Sequence, residues 1–226
     1  MDEAPEQPRI QVTADGPYEV VGLPIGRTRQ IETEYGEPID WAPVEPLEGA
    51  DGPVVRLCRC GTSSNKPFCD DSHETADWDP SVTADIGPRS ARARRFIGPE
   101  IVMTDDHSLC THAGYCGTRF TNVWRMLGET DDPGTRARLQ RMVELCPSGT
   151  LSWAPTRGAD EVDPTFEPGI AISDDGPIWV RGGVPVIGPD GERYEVRNRQ
   201  TLCRCGHSGN KPFCDGTHKE IGFTDP

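Results

Sequence analysis

The sequence has no apolar run approaching the roughly 18 to 20 residues of a membrane-spanning helix. Its opening, Met1-Asp2-Glu3-Ala4-Pro5, lacks the basic-then-apolar pattern of a secretory leader. The expectation is a soluble, cytoplasmic chain. Core-forming side chains are scarce as well: AVILMFWYC supplies 34% of the 226 residues and aromatics 7%, which suits small modules better than one large core. Positive charge is in the minority, with 23 Lys and Arg against 37 Asp and Glu and a net charge of -14. That balance opposes phosphate backbones and anionic lipid, so neither nucleic acid nor membrane is an expected partner. There is no flavin or nicotinamide fingerprint, no phosphate-cradling glycine loop and no persuasive nucleophile and base pair, so intrinsic catalysis has no positive support.

What the chain does have is turns and thiols. It carries 25 Gly, 22 Pro and nine Cys. An odd cysteine count without a leader argues against a secreted disulfide framework and leaves metal ligation as the leading use. Modules that bury little apolar surface gain folding free energy from a bound metal.

Comparison of the chain with itself reveals a repeat. Residues 57–73 read LCRCGTSSNKPFCDDSH and residues 202–218 read LCRCGHSGNKPFCDGTH, with 13 of 17 positions identical. Upstream, Asp15-Gly16-Pro17 with Val20 and Gly22 echoes Asp175-Gly176-Pro177 with Val180 and Gly182, at a spacing that differs by 15 residues. The first copy therefore carries an insertion, expected in the Pro- and acid-rich stretch around Glu37 to Pro53. In the second copy, Ile170–Ser173, Ile178–Arg181, Val184–Ile187 and Tyr194–Arg197 are β-prone and punctuated by Asp175-Gly176 and Asp190-Gly191, which predicts a small antiparallel sheet ahead of each cysteine motif. Between the copies, Thr121–Leu127 and Thr135–Leu145 have helical spacing, the second with Asp132 as cap and Pro133 in its first turn. Residues 74–95 and 154–169 read as linkers, and the cluster Arg89, Arg92, Arg94 and Arg95 reads as solvated surface rather than a docking patch.

Each copy places three thiols and one imidazole in a short loop: Cys58, Cys60, Cys69 and His73 in the first, Cys203, Cys205, Cys214 and His218 in the second. A helical turn after Cys69 would set that residue and His73 on one face, able to grip one iron, while Cys58 and Cys60 hold another. Gly61 and Pro67 would shape the turns, and Ser63 and Asp70 would satisfy backbone amides. Structural zinc is the competing metal, but zinc motifs usually separate paired ligands by two to four residues. Here one residue separates them.

The pattern C-x-C-x2-S-x3-P-x-C-D-x-[ST]-H resembles the cluster motif of the CDGSH iron-sulfur family. The resemblance implies a 2Fe-2S cluster on three cysteines and one histidine in each copy. The second copy matches throughout, by Ser208, Pro212, Asp215, Gly216 and Thr217; the first departs at Asp71, where the family has Gly. Mitochondrial members of the family have a membrane anchor that this sequence lacks, and single-motif members pair into dimers, so two motifs in one chain could form an intramolecular pseudo-dimer.

The middle segment has its own thiols, Cys110-Thr-His-Ala-Gly-Tyr-Cys116 and Cys146-Pro147. Ferredoxin clusters use C-x2-C-x2-C with a remote Cys-Pro, and Ala113 stands where the missing ligand would be. This arrangement resembles the divergent mono-cluster ferredoxin-like domain found beside CDGSH modules. Three ligands suit a 3Fe-4S cluster; His112 could complete a 4Fe-4S site or be an uncoordinated surface residue, and the three cysteines could be merely structural.

The resulting expectation is an α+β protein: a first CDGSH-like module over 1–80 with its insertion, a small ferredoxin-like helical and loop domain over 98–153, and a second CDGSH-like module over 168–226. Its expected work is electron transfer between protein partners, with 2Fe-2S clusters coupled to protons through His73 and His218. Cluster storage and donation to apo-acceptor proteins, a redox-sensing subunit and a zinc scaffold are the alternatives.

Overall fold

The computed structural model describes residues 7–225, so the opening stretch Met1–Pro5 lies outside the described residues. The fold is α+β, built of small sheets and short helices. Among the described residues, no helix is long and apolar enough to cross a membrane.

The first repeat supplies β1 (Arg9–Val12), β2 (Tyr18–Val21), β3 (Ile25–Thr28), β4 (Gln30–Glu32), β5 (Pro38–Trp41), β6 (Glu45–Pro46) and β7 (Val54–Leu57). The middle segment contributes the one-turn α1 (Arg89–Arg92), β8 (Arg94–Ile97), β9 (Val102–Asp105), α2 (Val123–Met126), α3 (Pro133–Glu144) and β10 (Leu151–Ala154). β11 (Gly169–Ser173), β12 (Ile178–Arg181), β13 (Val186–Ile187), β14 (Arg199–Leu202) and α4 (Thr217–Glu220) complete the second repeat.

The two repeats exchange strands. Their first, second and last strands form antiparallel threes, β1-β2-β7 and β11-β12-β14, as alternation along β1 (Ile10 and Val12 inward) requires. The third strand of each leaves its own repeat. β3 pairs parallel with β11, with Ile25 beside Ile170, while β13 pairs parallel with β1, with Val186 beside Ile10. One hydrophobic core therefore holds Ile10, Tyr18, Ile25 and Leu57 together with Ile170, Ile178, Val186 and Leu202. Tyr18 reaches across as well: its hydroxyl donates to the Cys203 carbonyl at 2.7 Å, with the Pro212 carbonyl 3.1 Å away.

One strand falls elsewhere than the sequence pattern predicts. Residues Tyr194–Arg197 are irregular and the last strand is Arg199–Leu202. Tyr194 spends its backbone amide on Val186 at 3.0 Å and its ring on an edge contact with Phe213, which leaves the run outside the ladder.

The insertion of the first repeat folds as the β4–β5 hairpin plus β6, and lies over the middle segment. Trp41 Nε1 donates to the Leu145 carbonyl (3.0 Å), Tyr115 donates to the Asp40 carbonyl (2.8 Å) and Gln30 to the Ala113 carbonyl (2.6 Å). The middle segment has a separate core of Ile101, Met103, Val123, Leu139, Val143 and Leu151 between β8-β9-β10 and the helices. Asp132 caps α3 by accepting from Thr135 N at 2.7 Å.

Arg89 and Arg92 are anchors rather than solvated surface. Arg89 is buried, donates to the Gly149 and Thr150 carbonyls and pairs with Glu161 at 2.8 Å; Arg92 pairs with the buried Asp106 at 3.0 Å. Only Arg94 and Arg95 are exposed as expected. A third arginine, Arg199, is 1% exposed and donates from β14 to the carbonyls of Val143, Glu144, Cys146 and Leu151, while also pairing with Asp163. It fastens the second repeat to the end of α3 and to the Cys146 turn.

Candidate metal centre

The two cysteine loops have the same construction. Cys58 N donates to the Pro67 carbonyl and Cys203 N to the Pro212 carbonyl, both at 2.8 Å, while Cys69 N and Cys214 N return to Arg56 and Thr201 at 2.9 Å. Asp70 accepts from Ser64 N (2.8 Å) and Ser72 N (3.1 Å), and Asp215 accepts from Gly209 N (2.7 Å) and Thr217 N (3.0 Å). Ser63 and Ser208 each donate to the carbonyl five residues on at 2.7 Å. Ser63 Oγ also accepts from Asn65 N at 3.0 Å, so Ser63 and Asp70 both satisfy backbone amides as the sequence predicts, and the Ser63 bond to the Phe68 carbonyl comes in addition. These bonds leave the Cys-x-Cys pairs with sulfurs 3.7 Å apart in both repeats.

A short helical turn follows each third cysteine and brings its histidine back. Cys69 Sγ lies 3.4 Å from His73 Nδ1, and Cys214 Sγ lies 3.3 Å from His218 Nδ1. Nδ1 is thus the nitrogen turned toward the sulfurs, and Nε2 is left for other partners. The donor set of three soft thiols and one imidazole per loop suits iron-sulfur chemistry.

The repeats differ in exposure. Cys203, Cys205, Cys214 and His218 are all buried, His218 at 5% exposure, whereas Cys69 and His73 are half-exposed. Burial beside Lys219 and Arg204 pushes the His218 imidazolium down to about 4. Asp71 forms a cluster with Cys69 and His73, their donor atoms within 4.8 Å of one another, but its carboxylate is also paired with Arg56. That ion pair holds the Asp71 carboxyl below the usual range. Position 56 corresponds to Thr201 in the second repeat, so the departure at Asp71 arrives together with its own counter-charge.

Two residues of these loops escaped the sequence reading. Arg59 and Arg204, the residues between the paired cysteines, are buried at 1% and 2% exposure. Arg59 donates to the Thr13, Gly16 and Pro80 carbonyls; Arg204 donates to Gly176 (2.6 Å) and Ser173 (2.7 Å) and pairs with buried Asp225 at 2.6 Å. Each ties its cluster loop to the Asp-Gly-Pro turn upstream. Their recurrence in both copies was the available signal.

Cys110, Cys116 and Cys146 converge on one cavity of about 210 Å³, also lined by Asp105, His107 and His112. Burial and the neighbouring thiols push Cys116 up to about 11, so iron binding there would displace thiol protons. Asp105 was not singled out by any motif. His107 and His112 are exposed, and the His112 ring leans on the second repeat.

The sequence matches the family described as "Iron-binding zinc finger CDGSH type" over residues 15–74 and again over 175–219, and the family described as "Divergent 4Fe-4S mono-cluster" over residues 96–155. Two CDGSH-type domains therefore flank a divergent 4Fe-4S mono-cluster domain in this chain. No curated protein and no solved structure matches it. The three thiol sites of these domains adjoin one another. A Cβ on Gly61 would lie 2.4 Å from the Cys205 carbonyl oxygen and one on Gly206 would lie 2.2 Å from that of Cys60. Both glycines have positive φ, 84° and 81°, and both keep the two loops back to back. On its other side the second loop meets the middle site, where Lys219 donates to the His112 carbonyl at 2.6 Å and Asn210 to the Ser108 carbonyl at 2.8 Å.

Proposed function

We propose that this protein carries single electrons between protein partners in the cytoplasm. In this reading Cys58, Cys60, Cys69 and His73 hold one 2Fe-2S cluster and Cys203, Cys205, Cys214 and His218 a second, with a 4Fe-4S cluster on Cys110, Cys116 and Cys146. Bound clusters of these kinds supply one-electron redox chemistry. The chain's part is to hold three such sites in a row: Cys60 and Gly61 against Cys205 and Gly206, then Gly216 against His112. That contact series is the observation that carries the reading, because a row of adjoining sites is what a relay needs and a single cluster donor does not. Half-exposed Cys69 and His73 form the solvent end, where a partner protein has access, and their accessible imidazole is where proton exchange would accompany electron uptake.

The same exposure favours a second reading, donation of the first cluster to an apo-acceptor protein. Mixing the anaerobic, fully loaded chain with apo-ferredoxin separates the two. Electron transfer requires the visible absorbance and iron to stay with this chain while its reduced form reduces an added acceptor; transfer of iron and sulfide into the apo-ferredoxin would establish donation instead.

A further inference from the structure

Three cysteines face the middle cavity, and a cubane has four irons, so one corner lacks a protein ligand. Three side chains beside the thiols could supply it. His107 and His112 are exposed, and the His112 ring is committed elsewhere, 2.4 Å from where a Cβ of residue 216 would stand. Asp105 differs from both. It ends β9, is 8% exposed, lines the cavity, and its Oδ1 is buried with no hydrogen-bond partner. The adjacent residue is the contrast: Asp106 takes Arg92 at 3.0 Å and Ser108 Oγ at 2.6 Å. An ionised carboxylate is strongly disfavoured in such surroundings unless it is paired or coordinates a metal. Register supports the placement, since Asp105 lies beside Leu151 of β10, itself a lining residue, and five residues before Cys110.

We propose that Asp105 is the fourth ligand of the middle cluster, its Oδ1 bound to the iron that the three cysteines leave open. The inference rests on the reading of the middle site as 4Fe-4S. Ligation forms one Fe–O bond from the ionised carboxylate, displaces a water or hydroxide from that iron, and changes no oxidation state. Oxygen is a harder donor than thiolate, so this corner is the most easily lost of the four.

The test uses the full chain, loaded anaerobically with ferrous iron and sulfide, and follows iron content with EPR after mild oxidation. Oxidised 2Fe-2S and 4Fe-4S clusters are EPR-silent, whereas an oxidised 3Fe-4S cluster is paramagnetic, so the middle site reports alone. The parent should bind about eight irons per chain, two in each CDGSH-type site and four in the middle. Asp105→Ala and the isosteric Asp105→Asn should each bind about one iron fewer and show the 3Fe-4S signal, while Asp105→Cys should stay silent and hold its iron longer than the parent in air. His107→Ala and His112→Ala should match the parent. Retention of a silent, four-iron middle site in Asp105→Asn, or its conversion only in a histidine variant, would overturn the ligand. A parent with about four irons would overturn the middle-cluster reading itself, and the ligand with it.

Discussion

The ring of His112 fills the space that a side chain at position 216 would need, with its Cδ2 2.4 Å from the Cβ that Gly216 lacks. At the matching place in the first repeat, Asp71 takes a φ of 65° against 91° for Gly216 and is exposed. The same backbone position is therefore restrained by a neighbour in one repeat and paired with Arg56 in the other. Gly216→Ala should destabilise the loaded protein by about 2 kcal/mol, from left-handed strain plus displacement of the ring, whereas Asp71→Gly should cost markedly less, because the pair it removes is solvent-exposed. Denaturant titrations read at the visible bands would settle it, and equal shifts for the two variants would refute the asymmetry.

Acid should empty the two CDGSH-type sites at different pH. Protonation of an iron-bound imidazole breaks its bond to the metal. The unfolded chain takes up that proton as pH falls through about 6.5, whereas His218 in the folded chain resists until about 4. The stability contributed by the neutral ring is thus complete above the window and lost across it as pH falls. Cys69 and His73 are half-exposed, so water reaches the first site more readily than the second. Iron release should be biphasic, the early phase removed by His73→Cys and the late phase slowed by His218→Cys; a single phase unaffected by either variant would contradict this.

Reduction potentials should separate in the same sense. A histidine ligand that can exchange a proton with solvent makes the potential fall as pH rises, and only the first site presents its histidine to solvent. One potential should vary between about pH 6 and 9 and the other stay nearly flat. His73→Cys should abolish the variation, and the measurement to make is a spectroelectrochemical titration of both variants. Slopes that persist in His73→Cys but vanish in His218→Cys would assign the coupling to the wrong histidine.

Arg199 donates to four carbonyls around the Cys146 turn, so its removal leaves several buried acceptors without partners. Arg199→Met, which keeps much of the stem volume, should lower stability by about 3 kcal/mol and speed iron loss from the middle site before the CDGSH-type sites respond. Hydrogen exchange over 143–151 would read the loosening directly. Unchanged protection there would show that the turn stands without the arginine.

The parts visible in the sequence were those in which cause and effect lie within a few residues. The spacing of Cys69 and His73, the amides held by Ser63 and Asp70, and the Asp132 cap are all set by local geometry, and each was legible. Arg89 read as surface because its partners, Gly149, Thr150 and Glu161, come from the far side of the middle segment. Tyr194–Arg197 looked like a strand because apolar alternation cannot reveal that a ring is claimed by Phe213. Asp105 carries no motif at all. Only the packing of β9 against β10 and the Cys110 loop gives its carboxylate a role.

The crossing of β3 and β13 also dictates an order of events during synthesis. β1 emerges early, yet its parallel neighbour is made some 176 residues later, as the pairing of Ile10 with Val186 requires. Until the ribosome has released the second repeat, the β1 edge is open, and β3 has no β11 to join. Such long-range pairing is slow and leaves an exposed edge able to recruit other chains. A nascent chain stalled near residue 160 should therefore hold its N-terminal strands in a protease-sensitive state despite carrying a complete first set of ligands, and would be a client for chaperones until its last quarter arrives.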